Sequence, residues 1–363
     1  MAVGLPLKTT YANGDVYSAS DVNDTNGTIN AFLAPSLATS AGKNCVINGG
    51  FDVWQRGTSF TGVSPYYSAD RWMGSRAGAV AGGTWSRQLT NDTTNLPNIQ
   101  YCIRIARNSG NTSTALLETT TNFETVNTIE YKGQQVTLSY YARKGANYSG
   151  GSLTAILATG TGTDENLVFG YTGEANPISA SATLTTTWQR FTATGTIATS
   201  ANEMAIDFRW TPTGTAGAND YVEITGVQLE LGSVATTFAR NGATYQAELA
   251  ACQRYYYRQT GTGNYATFGI GTAFNSTKAF INIIQPVAMR VVPQSIEIPS
   301  TITNLKLTNI GSTNYTISNI TFVEGTYTNT ILEVTASGMT TNQGVWIGNN
   351  NTTAGFIGVS AEL

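Results

Sequence analysis

Period-two alternation constrains this chain more than any other feature. Across residues 133–145 (GQQVTLSYYARKG), Val136, Leu138 and Tyr140 fall on one side and Thr137, Ser139 and Tyr141 on the other. Across residues 203–210, Met204, Ile206, Phe208 and Trp210 alternate with Glu203, Ala205, Asp207 and Arg209. Such segments bury a single face only when extended, because successive side chains of a strand point to opposite sides. Short runs of this kind, broken by turn residues, recur before residue 230 and again after residue 260. They predict an all-β chain built of sandwiches.

One stretch breaks the pattern. In residues 226–257 (GVQLELGSVATTFARNGATYQAELAACQRYYY) a strand pattern gives way to helical spacing. Tyr245, Leu249, Cys252 and Tyr256 are separated by four, three and four positions, which places them on one helical face. Thr244 is the expected N-cap, without a Glu three residues on to complete a capping box. The stripe is the candidate contact between domains or between neighbouring subunits, and it is too short to drive association by itself.

Length and spacing predict four parts. Residues 1–43 read as an N-terminal segment with a short helix: Ser20 or Asp21 caps it, Val22, Ile29, Phe32 and Leu33 line one face, and Pro35 ends it. Residues 44–240 read as a jelly-roll β-sandwich. Within it Cys45-Val46-Ile47 is the expected first strand, and Gly226 marks a bulge or crossing. Residues 241–258 are the connecting helix. Residues 259–363 return to β as a second, C-terminal β-sandwich, with strands expected near 279–284, 291–298, 317–322, 330–334, 345–347 and 356–363.

Composition excludes whole classes of function. The chain has no histidine, which removes imidazole nucleophile relays, His–metal sites and imidazole acid–base work. Its three cysteines are far apart in sequence, show no CxxC spacing and read as small buried residues. Only 11% of residues are charged, against the ~25% usual for globular chains, and the net charge is −3. No basic cluster exists to neutralise phosphates, so nucleic acid is not an expected partner. No apolar run approaches the ~18 residues of a membrane span, and the opening MAVGLPLKTT lacks the basic and apolar regions of a signal peptide. A weakly charged, Thr/Asn/Ser/Gly-rich surface suits large subunit contacts.

Several motifs carry a family resemblance. NCVINGGFDVWQRGTSF…YYSADRWMG at 44–74 resembles the start of the carbohydrate-binding-module-like jelly rolls of bacteriophage tail-fibre proteins. GQQVTLSYYARKG, TTTWQRFTATGTI and YVEITGVQLELGSVATTFAR resemble their later strands, in order. AELAACQRYYY resembles the helix that follows, GFIGVSAEL their final strand, and TYANGDVYSASDVNDT a short attachment segment. The resemblance implies a virion structural protein, a homotrimer without a signal peptide, assembled in the host cytoplasm. It also implies contact with a tail or baseplate protein through residues 1–43, and β-domains that recognise a host-surface glycan. A head fibre or decoration protein without a ligand is the alternative, and a surface-polysaccharide depolymerase a more distant one.

Phe51, Trp54 and Trp72 have faces suited to sugar stacking, but aromatic side chains dominate sandwich cores, and packing is the expectation for them as for Trp188 and Phe191. Trp210 ends its strand beside Thr211-Pro212-Thr213-Gly214 and is the better glycan candidate. The polar positions Thr137, Ser139 and Tyr141, taken together with Asp207 and Arg209, form the candidate groove, so Trp210, Tyr141, Asp207 and Arg209 are the expected glycan-binding set. No catalytic residue is expected. Asp164 and Glu165 would point to opposite sides of a strand, and Glu203 and Asp207 would stand roughly 13 Å apart, unsuited to paired-carboxylate hydrolysis. No cofactor is expected. Structural calcium held near Gly50–Asp52 with Glu223 has no supporting loop motif.

Overall fold

The computed structural model describes residues 43–62, 66–74 and 82–363. The predicted N-terminal helix lies outside these residues. The described chain is nearly all β, with antiparallel sheets, β-sandwich packing and little helix.

The first twelve strands are β1 (Ser59–Gly62), β2 (Tyr66–Tyr67), β3 (Met73–Gly74), β4 (Gly83–Leu89), β5 (Tyr101–Arg107), β6 (Leu117–Phe123), β7 (Gln135–Lys144), β8 (Leu153–Gly160), β9 (Ala175–Ala182), β10 (Gln189–Thr196), β11 (Glu203–Trp210) and β12 (Tyr221–Leu231). They form two six-stranded sheets, ordered β1-β4-β5-β12-β7-β10 and β2-β3-β6-β11-β8-β9. Alternation decides what lies between them. Trp85, Ile103, Ile105, Val136, Leu138, Tyr140, Val222 and Ile224 from the first sheet meet Leu117, Leu153, Leu157, Met204, Ile206 and Phe208 from the second in one core. Phe51, Trp54 and Trp72 are buried in the same core.

The expected first strand at Cys45-Val46-Ile47 is corrected. These residues run beside β12, with the Cys45 amide donating to the Leu229 carbonyl at 3.2 Å, but they form no ladder. The Asn44 side chain occupies the β12 backbone instead, donating to the Val227 carbonyl and accepting from the Leu229 amide. At Gly226 the β12–β7 register shifts, and the glycine adopts φ +57°, the left-handed region where a Cβ is costly.

Past β12 the chain folds back over the outer face of the first sheet. The Thr236 amide donates to Glu230 Oε1 at 2.7 Å, the Ala239 amide to Gln228 Oε1 at 2.9 Å, and Arg240 pairs with Asp52 at 2.7 Å. This strap explains why Thr137, Ser139, Gln228 and Glu230, on the face away from the core, are nonetheless buried.

Helix α1 is a single turn, Thr125–Thr128; α2 spans Tyr245–Gln253. Thr244 caps α2, its hydroxyl accepting from the Ala247 amide at 3.2 Å. Glu248, one residue past the capping-box position, bonds the amides of Asn48 and Gly242. The buried face of the helix is therefore Glu248 and Cys252, so that Cys252 alone of the predicted stripe is buried within it. Tyr245 is 48% exposed, Leu249 is half-buried, and Tyr256 lies beyond the helix in the next strand. Tyr256 leaves the helical face because the helix ends at Gln253, and it is buried in the following β unit, while Glu248 turns inward to satisfy the Asn48 and Gly242 amides.

Ten strands follow: β13 (Tyr256–Thr260), β14 (Thr267–Ala273), β15 (Lys278–Ile284), β16 (Ile296–Glu297), β17 (Leu305–Asn309), β18 (Asn314–Tyr315), β19 (Ile317–Gly325), β20 (Asn329–Ala336), β21 (Gly344–Asn349) and β22 (Phe356–Ser360). They make a three-stranded sheet, β13-β22-β16, and a seven-stranded sheet, β18-β17-β21-β14-β15-β20-β19. Phe268, Ile281, Ile283, Leu307, Leu332, Val334, Ile347 and Ile357 fill the space between. The strand expected across 291–298 shrinks to Ile296–Glu297. Pro293 has no N–H to give to a ladder.

Charged groups stitch the two β units together. Glu362 pairs with buried Arg71 and with Arg56, and these guanidinium groups lie 3.5 Å from the Tyr255 ring centre and 3.4 Å from that of Tyr256. Glu124 takes Arg254 and the Tyr255 hydroxyl, and Arg290 reaches Asp164 and the carbonyls of Ala361 and Glu362. Burial alone would lower the basicity of Arg71; the Glu362 carboxylate, together with Tyr255 and Tyr67, more than reverses that.

Candidate functional site

β11 ends at Trp210, where the chain leaves the second sheet for the loop before β12. A cleft of about 380 Å³ opens there, lined by Leu116, Ser152, Thr154, Arg209, Trp210 and Thr211. Cross-strand register builds its floor: Arg209 stands opposite Thr154 of β8 on one side and Glu118 of β6 on the other. Asp207, two residues back on the same face, is buried and accepts from the Thr120 hydroxyl at 3.0 Å. Its other oxygen lies 3.5 Å from Arg209 Nε. The Arg209 side chain is 27% exposed, so the guanidinium is held from behind by a carboxylate and presents its outer N–H groups to the cleft.

Trp210 serves this cleft differently from expectation. It is 2% exposed, belongs to the core and packs on Tyr148 with ring centres 4.8 Å apart. It is part of the cleft wall and not a platform standing free in solvent. Its indole N–H is buried and finds no acceptor among the described residues.

The rim is fixed by one buried arginine that the sequence pattern did not single out. Arg107, at the end of β5, pairs with Asp220 at 3.1 Å, both side chains fully buried. It also donates to Ser149 Oγ and to the carbonyls of Asn111, Thr213 and Gly214 at 2.6–3.2 Å. Asp220 in turn accepts from the Ser149 amide and hydroxyl at 2.8 Å. Three loops, 108–116, 145–152 and 211–220, are thereby tied to one ion pair, and each contributes to the cleft or flanks it.

The structure separates the fourth predicted residue from the other three. Tyr141 lies on β7 of the first sheet, and Asp207, Arg209 and Trp210 lie on β11 of the second. Because Tyr140 and Phe208 both point into the shared core, Tyr141 and Asp207 face away on opposite sides of the sandwich. The proposed common groove of Thr137, Ser139, Tyr141, Asp207 and Arg209 is therefore corrected. Tyr141 instead packs with Leu96, Ile99 and Phe238 in a narrow apolar crevice. Beside that crevice a second cleft, about 450 Å³, is lined by Leu89, Asn91, Pro97, Asn98, Gln100 and Arg240. The Asn91-Asp92 and Pro97-Asn98 turn residues were the available signal for this loop.

The carboxylates do other work. Asp164 and Glu165 lie in a turn, not a strand, with Asp164 at φ +53°. Asp164 binds the Thr125 amide and Arg290; Glu165 accepts from the Thr172 amide and hydroxyl. Glu203 accepts from the Glu165 amide, and burial pushes its carboxyl above the ordinary range. Glu223, the acid suggested for calcium, is taken up by Arg104 at 2.6 Å and Arg143 at 2.5 Å, and Asp52 pairs with Arg240. Among the described residues no group of three His, Cys, Asp or Glu side chains converges as a metal site.

No protein-family model matches this chain, and no curated protein matches it. Solved structures do. A CBM4 module aligns with 52% of this chain over 100% of its own length, at 16% identity and a TM-score of 0.32. The CBM22-2 xylan-binding domain of Paenibacillus barcinonensis Xyn10C aligns with 45% of this chain over 92% of its own, at 13% identity and TM-score 0.30. The enzymatically active domain of tailspike protein 4 of bacteriophage CBA120 aligns with 52% of this chain at 14% identity and TM-score 0.34, and the match spans 22% of that chain.

Proposed function

We propose that this chain is a structural fibre protein of a bacteriophage virion, a homotrimer that binds glycan on the host surface through the cleft at the end of β11. The observation that carries the reading is the arrangement at Arg209. A partly exposed guanidinium, neutralised from behind by buried Asp207, stands beside the Thr154 and Ser152 side chains and a tryptophan wall. Fixed N–H groups and hydroxyls around an apolar wall suit a neutral polyol, whose vicinal hydroxyls accept from a guanidinium fork while its C–H face lies on apolar surface. The cleft's rigidity, set by Arg107, lowers the ordering cost of such binding. The motif resemblance supports the virion setting, with residues 1–43 towards the particle and a tail or baseplate protein as their partner.

The test is saturable binding of purified full-length protein to host cells and to their isolated surface polysaccharide. Arg209→Ala removes charge-assisted hydrogen bonds worth roughly 1.5–3 kcal/mol, so affinity should fall about 10- to 100-fold. Absence of binding by the intact protein to either target would reject the glycan reading and leave a ligand-free head fibre or decoration protein. Release of new reducing ends from the polysaccharide would reject a purely binding role. Light scattering should give about three times 38.5 kDa, and a monomer at micromolar concentration would exclude the trimer.

A further inference from the structure

The core of the C-terminal unit lies on one face of its seven-stranded sheet. Ile281, Ile283, Leu307, Leu332, Val334 and Ile347 point into it. Alternation sends their neighbours to the opposite face, where an uncovered antiparallel sheet ordinarily carries polar groups. Here the middle strands carry apolar ones. Register sets Trp346 of β21 opposite Ile270 of β14, Ile270 opposite Asn282 of β15, and Asn282 opposite Ile331 of β20. Two residues along the strands, Gly344, Thr272 and Phe280 make the next row. Phe274 meets Phe280 edge-on with ring centres 5.7 Å apart, and a Cβ on Gly344 would lie 3.0 Å from Ile310 Cδ1. Opposed side chains on one face stand ~5 Å apart at Cβ, so register, and not exposure alone, makes these residues one patch. Ile270 is 69% exposed, Phe274 61% and Ile310 86%. The outward positions of the flanking strands are polar: Thr308 and Asn314 on one side, Thr321 and Glu324 on the other, with Glu333 paired to Lys278. An aromatic and aliphatic centre inside a polar rim is the anatomy of a subunit interface.

We propose that copies of this chain associate through this face, the β17 edge of one copy against the β19 edge of the next. The proposal rests on the homotrimer reading above and names the surface that would hold it. Two arguments favour a second copy as the occupant. The first is charge. Lys306 of β17 stands at one edge of the face, its Nζ 5.2 Å from the Trp346 ring centre, and Glu324 of β19 stands at the other. Among the described residues neither takes an ion-pair partner. Opposite charges at the two edges make the face complementary to itself, and repeated edge-to-edge contact of this kind closes into a ring. The second is size. Seven strands at ~4.8 Å spacing, with about 20 Å of strand length, give a footprint on the order of 600 Å², close to the ~800 Å² per partner of a standard interface.

The experiment follows the mass of the purified full-length protein by light scattering on dilution, with circular dichroism to confirm that each variant is folded. Ile270→Asp puts a charge at the centre of the face without entering the core. It should raise the concentration of half-dissociation at least 100-fold. Phe169→Asp, at a position 71% exposed on the first sandwich, should leave that concentration unchanged. Lys306→Glu and Glu324→Lys should each raise it about three- to tenfold, and the two together in one chain should restore most of the loss. Only pairing between copies can do that, because the two residues stand on strands near opposite edges of the sheet. A trimer unaltered by Ile270→Asp, or a double reversal no stronger than either single one, overturns this proposal and leaves the trimer reading standing. A parent protein that is monomeric at micromolar concentration overturns both.

Discussion

Arg107 offers a direct test of how this sandwich holds its cleft. Replacing it by Met keeps an unbranched apolar stem in place of the aliphatic part of the side chain and removes the charge and five hydrogen bonds. The loss leaves Asp220 as a fully buried carboxylate with only Ser149 as partner, and leaves the carbonyls of Asn111, Thr213 and Gly214 without that donor. Breaking a buried pair from one side costs about 3–5 kcal/mol, because the remaining charge is stranded in low dielectric. Spread over an unfolding entropy of ~2.1 cal/mol/K per residue for roughly 320 residues, that is a fall in Tm of about 4–8 °C. Removing the charge from both sides, Arg107→Met with Asp220→Leu, should recover at least half of the loss, since an apolar pair has no desolvation penalty to offset. Thermal and urea unfolding of the three proteins gives the energies. Amide exchange mapped by mass spectrometry shows where they act: the loops 108–116, 145–152 and 211–220 should open while β11 and β7 stay protected. A single variant within about 1 kcal/mol of the parent, or a double variant no more stable than the single, would refute the reasoning.

Two further outcomes follow from the same physics. Asp70 is buried at the joint between the β units, its carboxylate accepting from the Gln55 amide and side chain, and burial pushes it up to about 6. The unfolded chain releases this proton near the ordinary value and the folded chain holds it to about 6. Stability should therefore drop by of order 2–3 kcal/mol as pH rises from about 4 to about 6, and Asp70→Asn should lack that component; identical pH profiles for parent and variant would rule it out. Gly226→Ala should destabilise by at least ~1–3 kcal/mol, because φ is +57° and the new Cβ would sit 2.8 Å from Ile99 Cδ1 and 2.9 Å from Tyr141 Cδ2; an unchanged urea midpoint would contradict the assignment of the bulge.

The alternation in β7, β11 and β12 was enough to identify strands and to say which side chains enter the core, since that depends only on neighbours two residues apart. The Thr244 cap and the Gly226 bulge were legible for the same local reason. Sheet membership was not. Strands β7 and β11 have similar patterns yet lie in opposite layers, and pairing partners separated by 43 to 95 positions leave no local mark. Tyr141 and Asp207 were thus assigned to one groove when they face opposite ways. Arg107 was invisible because its importance comes from four carbonyl and hydroxyl acceptors and one acid supplied by distant loops. The helix face was misread because α2 ends at Gln253 and because Glu248 turns inward to bond the amides of Asn48 and Gly242, partners that lie outside the helix. By itself the sequence determined the element types, the core-facing residues and the absence of imidazole chemistry, all set by local periodicity and composition. Only the tertiary structure decided which polar residues share a surface, because long-range strand pairing and the strap after β12 choose which face is covered and which end remains open.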